Sequence, residues 1–132
     1  MQAKLFTDGG ARGNPGPAGL GAALYDINDK LISINAEYGG EITNNQAEYL
    51  ALIMGVKLAI KEGIKELDVF MDSELVVKQI KGEYRIKDEK MQSLKLELDK
   101  QLKKLQSVSF THVKRDKNKI ADKLVNIVLD SK

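Results

Sequence analysis

Apolar positions along the chain fall into runs of two different periods, separated by turn chemistry. Ala3-Lys4-Leu5-Phe6-Thr7-Asp8 alternates as a short strand, and Leu20 to Ile27 and Leu31 to Tyr38 predict two more, joined by a tight Asn28-Asp29 turn. Gly9 to Pro17 between the first two reads as a glycine-rich bend. Connections this short predict an antiparallel meander. From Asn44 to about Glu62 the period becomes helical, with Ala47, Leu50, Ala51, Met54 and Leu58 on one face. Thr43 or Asn44 can cap this helix and Gly63 stops it. Glu66 to Met71 is apolar enough for a central strand, and its crossover through the helix predicts that it lies parallel to the first. Ser73 to Lys81 predicts a short helix. Asp88 to Lys104 predicts a longer one, with Met91, Leu94, Leu98, Leu102 and Leu105 inward. Val108 to Val113 completes the strands, and Asn118 to Asp130 gives a last helix with Ala121, Leu124, Val125 and Val128 inward. The order βββαβααβα predicts a mixed α/β layer fold.

Composition narrows the class. A chain of 132 residues predicts one domain over 1–132, and 42% hydrophobic with 30% charged residues excludes disorder. No apolar run approaches the ~20 residues that span a bilayer. The absence of cysteine removes disulfides, thiolate metal sites and thiol nucleophiles, and points to a reduced, cytoplasmic setting. Charge is uneven. Val76 to Lys119 carries 13 Lys or Arg against 6 Asp or Glu, whereas the remainder carries 8 against 13. A basic half beside an acidic one attracts a polyanion while reserving a negative point for cations.

Four acids occupy positions that aim carboxylates at a common point. Asp8 and Asp72 end predicted strands one and four, and Glu48 and Asp122 lie near helix starts. Each has a plain structural alternative: a turn cap for Asp8, a helix cap for Asp72, a capping-box acid for Glu48, and an exposed first-turn acid for Asp122. Together they change the odds. Parallel neighbours place Asp8 and Asp72 side by side, and clustered carboxylates repel unless a cation or protons neutralise them. An all-oxygen cage suits magnesium or manganese. The bend from Gly9 to Pro17 carries no nucleotide-binding fingerprint. Thr43-Asn44-Asn45-Gln46 reads either as a capping cluster or as donors and acceptors for sugar, phosphate or base edges. His112, the only histidine, reads as structural or surface-exposed. Lys114, Arg115, Lys117 and Lys119 form a basic cluster beside Asp122.

Four blocks, in this order, resemble the type 1 ribonuclease H family over nearly the whole chain. They are Thr7-Asp8-Gly9-Gly10-Ala11-Arg12-Gly13-Asn14-Pro15-Gly16, then Thr43 to Tyr49, then Asp72-Ser73, then Val113-Lys114-Arg115 through Asn118 to Ala121-Asp122. The resemblance implies a ribonuclease H-like fold: a five-stranded sheet ordered 3-2-1-4-5, strand two antiparallel, with helices on both faces. It implies that Asp8, Glu48, Asp72 and Asp122 bind two Mg²⁺ ions, with Mn²⁺ as substitute. It further implies that Gly13, Asn14, Asn44 and Asn45 meet the minor groove of an RNA–DNA hybrid, and that Thr43 holds a DNA-strand phosphate. The implied reaction is endonucleolytic hydrolysis of the RNA strand, leaving 5′-phosphate and 3′-hydroxyl ends. A monomer is expected, with no organic cofactor and no membrane. Two features depart from many bacterial members. Val113 to Asp122 is too short for a histidine-bearing loop, so Arg115 or a nearby lysine is expected to take part of that role. The Trp-containing basic protrusion is absent, leaving Lys78, Lys81, Arg85, Lys87 and Lys90 as a smaller rim. A non-catalytic binding module, or a nuclease also acting on double-stranded RNA, stand as alternatives.

Overall fold

A computed structural model describes residues 1–132. Its elements are β1 (Gln2–Ala11), β2 (Gly16–Asp26), β3 (Leu31–Ile42), α1 (Asn44–Lys61), β4 (Glu66–Met71), α2 (Glu74–Ile80), α3 (Glu89–Leu102), β5 (Ser107–His112) and α4 (Lys119–Asp130). A single 3₁₀ turn, Arg115–Lys117, precedes α4. The sheet order is β3-β2-β1-β4-β5, with β1-β2-β3 an antiparallel meander and β4 and β5 added in parallel. The ribonuclease H-like architecture expected from the sequence is therefore present. No helix is long and apolar enough to cross a membrane.

The strand ends differ from expectation, and the difference matters for the site. β1 does not stop at Asp8: its pairing with β2 continues through Asp8–Gly21, Gly9–Leu20 and Gly10–Gly19 to Ala11–Ala18. The bend shrinks to residues 12–15. Gly19 and Gly21 of β2 serve clearance rather than turn formation. A Cβ on Gly19 would stand 2.7 Å from the Val125 carbonyl oxygen of α4, and one on Gly21 2.5 Å from that of Ala121. Strand pairing with β4, by contrast, ends at Thr7–Met71. Asp8 thus sits where the parallel half of the sheet stops while the antiparallel half runs on. β3 likewise extends past Tyr38 to Ile42, and α4 begins one residue later than expected.

α1 packs on β1 through small side chains at every fourth position, Ala47, Ala51, Gly55 and Ala59. Thr43 caps it: the Thr43 hydroxyl accepts from the Gln46 N–H, and the Gln46 side chain accepts from the Thr43 N–H. Leu5, Leu24, Tyr49, Leu52, Leu67, Val69, Met71 and Leu98 are fully or almost fully buried between sheet and helices. The N-terminal turn of α1 approaches β1 so closely at Gly9 that an added Cβ would collide with the Ala47 carbonyl. Because the obstacle is backbone, it cannot swing aside. Gly9→Ala is expected to destabilise by about 3 kcal/mol, the upper part of the overpacking range, measured by urea unfolding.

Candidate metal centre

Four elements deliver the acids. Asp8 is the first β1 residue beyond the β4 ladder, and Asp72 directly follows β4. Glu48 projects from the second turn of α1, and Asp122 from the first turn of α4. All four line one depression of about 440 Å³, with Gly9, Gly10, Asn44 and Arg115 on its walls. Carboxylate oxygens of Asp8, Glu48 and Asp72 lie within 4.8 Å of one another. Asp122 stands across the same depression, its Oδ1 accepting from the Arg115 guanidinium at 3.1 Å. The structure therefore brings the expected four together, three as a tight cluster and the fourth paired to a cation.

Electrostatics follow from this crowding. Burial, and then the charge of Asp72, push the Asp8 carboxyl from 3.8 up to about 7. Glu48, only 5% exposed, is driven well above the ordinary carboxylate range by burial and then by Asp8 and Asp72. Hydrogen bonding between the two raises Glu48 and lowers Asp8. Asp72 is raised by burial and by Asp122, against a pull downward from Arg115 and Asn118. Glu48 Oε2 is buried with no hydrogen-bond partner. An orphaned carboxylate oxygen among two further carboxylates fits a divalent ion with oxygen ligands, and the donor set is that of a hard cation.

The polar cluster at the start of α1 is partly structural and partly available. Asn44 Oδ1 accepts from the Ala11 N–H at 3.0 Å, and Asn14 Oδ1 accepts from the Asn44 N–H at 3.0 Å. Both amides spend their acceptor ends on the fold, leaving their NH₂ groups as donors. Asn14, Thr43 and Asn45 line a second depression of about 350 Å³ with Gln79 and Lys87. Gln79 is oriented there by the Tyr49 hydroxyl, which donates to its Oε1 at 2.9 Å. Gly13 lies in the intervening bend with φ +103°. His112 is exposed at the end of β5 and does not line the acidic depression.

Two residues at the site had not stood out from the sequence. Arg12 borders the acidic depression, anchored to Asp130 of α4 at 2.7 Å. Its only signal was a cation inside a glycine-rich run. Asn118, which the sequence offered as a helix opener, makes no side-chain cap and is 99% buried. No local pattern predicts that burial.

A 3-2-1-4-5 sheet with carboxylates gathered where its central parallel pair ends defines the ribonuclease H-like class. Known proteins place the chain within that class. The reverse transcriptase-like family pattern matches residues 6–128. The solved ribonuclease H1 of the halophilic archaeon Halobacterium salinarum superposes with a TM-score of 0.98 at 34% identity, over all of both chains. LC11-RNase H1, solved in complex with an RNA/DNA hybrid, superposes at 0.93 with 38% identity, covering 98% of this chain and 97% of that one. The bifunctional protein Rv2228c of Mycobacterium tuberculosis is 36% identical over 132 residues, 99% of this chain. The chain spans only 36% of that relative's length. It belongs to the type 1 ribonuclease H family, in the form that has neither a histidine loop before the last helix nor a basic protrusion.

Proposed function

We propose that this chain is an endoribonuclease that hydrolyses the RNA strand of RNA–DNA hybrids, acting as one domain over residues 1–132. The observation carrying this reading is the cluster of Asp8, Glu48 and Asp72 within 4.8 Å, open to a depression shared with Asp122. Solved relatives include one whose complex holds an RNA/DNA hybrid.

Asp8, Glu48, Asp72 and Asp122 would hold two divalent ions, Mg²⁺ or Mn²⁺. Bound there, such ions lower the pKa of a coordinated water and neutralise charge on the leaving oxygen. The protein supplies position and field, and the products would carry 5′-phosphate and 3′-hydroxyl ends. Glu48 gives up its proton as the cluster is loaded, because a cation replaces the neutralisation that proton provided. The NH₂ groups of Asn14 and Asn44 point donors at minor-groove acceptors and 2′-hydroxyls, with Asn45 and Gly13 beside them. The Thr43 hydroxyl accepts from Gln46 within the helix cap, so its own proton is available to a phosphate oxygen.

Arg115 lines the acidic depression, 76% exposed and paired with Asp122. It stands in for the histidine of loop-bearing relatives in handling the leaving group. Arg115→Glu is expected to lower kcat about tenfold or more, some 1.4 kcal/mol, with little change in KM for hybrid. Steady-state kinetics on labelled hybrid read this directly, and unchanged kcat rejects the role.

The substrate class is tested with three labelled duplexes, RNA–DNA, RNA–RNA and DNA–DNA, each with Mg²⁺, Mn²⁺ or EDTA. Metal-dependent cleavage confined to the RNA strand of the hybrid is expected. Cleavage of RNA–RNA as well would widen the substrate range, and no cleavage of any duplex would leave a binding module in its place.

A further inference from the structure

Asn118 is a fully buried amide that neither caps α4 nor appears in the chemistry above. Its Nδ2 donates to the Thr7 carbonyl at 2.9 Å, across 111 residues of sequence. Thr7 is the last β1 residue in the ladder with β4 and directly precedes Asp8. The Asn118 backbone carbonyl accepts the Asp122 N–H at 3.1 Å, and its side chain pulls the Asp72 pKa downward. One residue thus bonds β1 beside Asp8 and the turn of α4 that carries Asp122.

The orientation of the amide follows from its partner. Thr7 O is an acceptor, so the NH₂ end must face it and the oxygen is left over. Asn118 Oδ1 is indeed buried without a partner. A residue chosen for packing would be apolar here, because an unmade buried hydrogen bond is costly. The donated bond outweighs the orphaned acceptor only if holding the Thr7 carbonyl matters.

We propose that Asn118 is a positioning residue: buried between them, it locks β1 to the start of α4 in the arrangement that brings the carboxylates together. It touches neither substrate nor reacting atoms and acts through Asp8, Asp72 and Asp122. The proposal rests on the reading of these acids as metal ligands.

The test compares Asn118→Ala and Asn118→Asp with the unmodified protein. Mn²⁺ binding is measured by calorimetry without substrate, kcat and KM on hybrid are measured separately, and a melting curve accompanies each variant. Asn118→Asp keeps the side-chain volume but loses the donors. Both variants are expected to weaken Mn²⁺ binding about tenfold or more, the scale for outer residues that orient metal ligands, with KM for hybrid within about twofold. Wild-type Mn²⁺ affinity in Asn118→Asp overturns the proposal, since the donors would then be dispensable. A fall in melting temperature alone, with affinity retained in either variant, overturns it in favour of a packing role. If Asn118→Ala does not fold, Asn118→Asp carries the decision. Failure of the unmodified protein to bind Mn²⁺ would instead remove the metal-ligand reading itself.

Discussion

Asp72→Asn is expected to abolish Mg²⁺-dependent cleavage of hybrid while leaving the fold intact. Loss of one charged group from a preorganised centre costs about 10²–10³-fold, and loss of a metal ligand should reach at least the top of that range. The fold survives because the substitution is nearly isosteric. The helix cap at this point belongs to Ser73, whose hydroxyl accepts from the Val76 N–H. Removing a charge from a cluster whose members all raise one another relieves repulsion, so the metal-free variant should melt at the same temperature or higher. Hybrid binding should persist, because Asn14, Asn44, Asn45 and Thr43 are untouched. Single-turnover cleavage and hybrid affinity, measured side by side, check both halves. Cleavage within about tenfold of wild type would show that Asp72 is not a ligand.

The second large effect is a dependence of stability on pH that metal cancels. Asp8 has a folded-state pKa of about 7 against an ordinary 3.8, so between those values the folded protein binds more protons than the unfolded chain. Its contribution to stability therefore falls as pH rises through that window and is fully lost above about 7. The gap sets a ceiling of roughly 4 kcal/mol, or about 10–20 °C in Tm for a domain of this size. Glu48 and Asp72, also raised, act in the same direction. In EDTA the site should cost more stability at pH 8 than at pH 5.5. Added Mg²⁺ should raise Tm more at pH 8, where the carboxylates are ionised and free to bind it. Calorimetric melts of wild type and Asp8→Asn at the two pH values isolate the site from other titrating groups. An equal pH dependence in the two proteins would contradict the assignment.

Much of this was readable from periodicity. Leu5, Val69 and Leu98 declared their elements because alternation and helical spacing are local signals, and the crossover through α1 dictated a parallel β4. The glycine-rich run misled for a physical reason. Gly9 and Gly10 look like turn formers, yet both sit in β1, where the backbone of α1 presses on Gly9. Only the three-dimensional packing separates the two uses of glycine. Asp8 was legible as a residue at a sheet edge, although the edge belongs to β4 alone. Asp122 was the weakest of the four in sequence, and it is also the one outside the tight cluster, held by Arg115. Asn118 was not legible at all as a buried tie, because its side-chain partner is a backbone carbonyl 111 residues away.

The most direct test of the central claim is a crystal of the Asp72-intact protein with hybrid and Mn²⁺, read by anomalous diffraction. Manganese within ligand distance of Asp8, Glu48, Asp72 and Asp122 is the result expected. Anomalous density absent from these carboxylates, in crystals that show hybrid bound across α1 and the bend at residues 12–15, would contradict it.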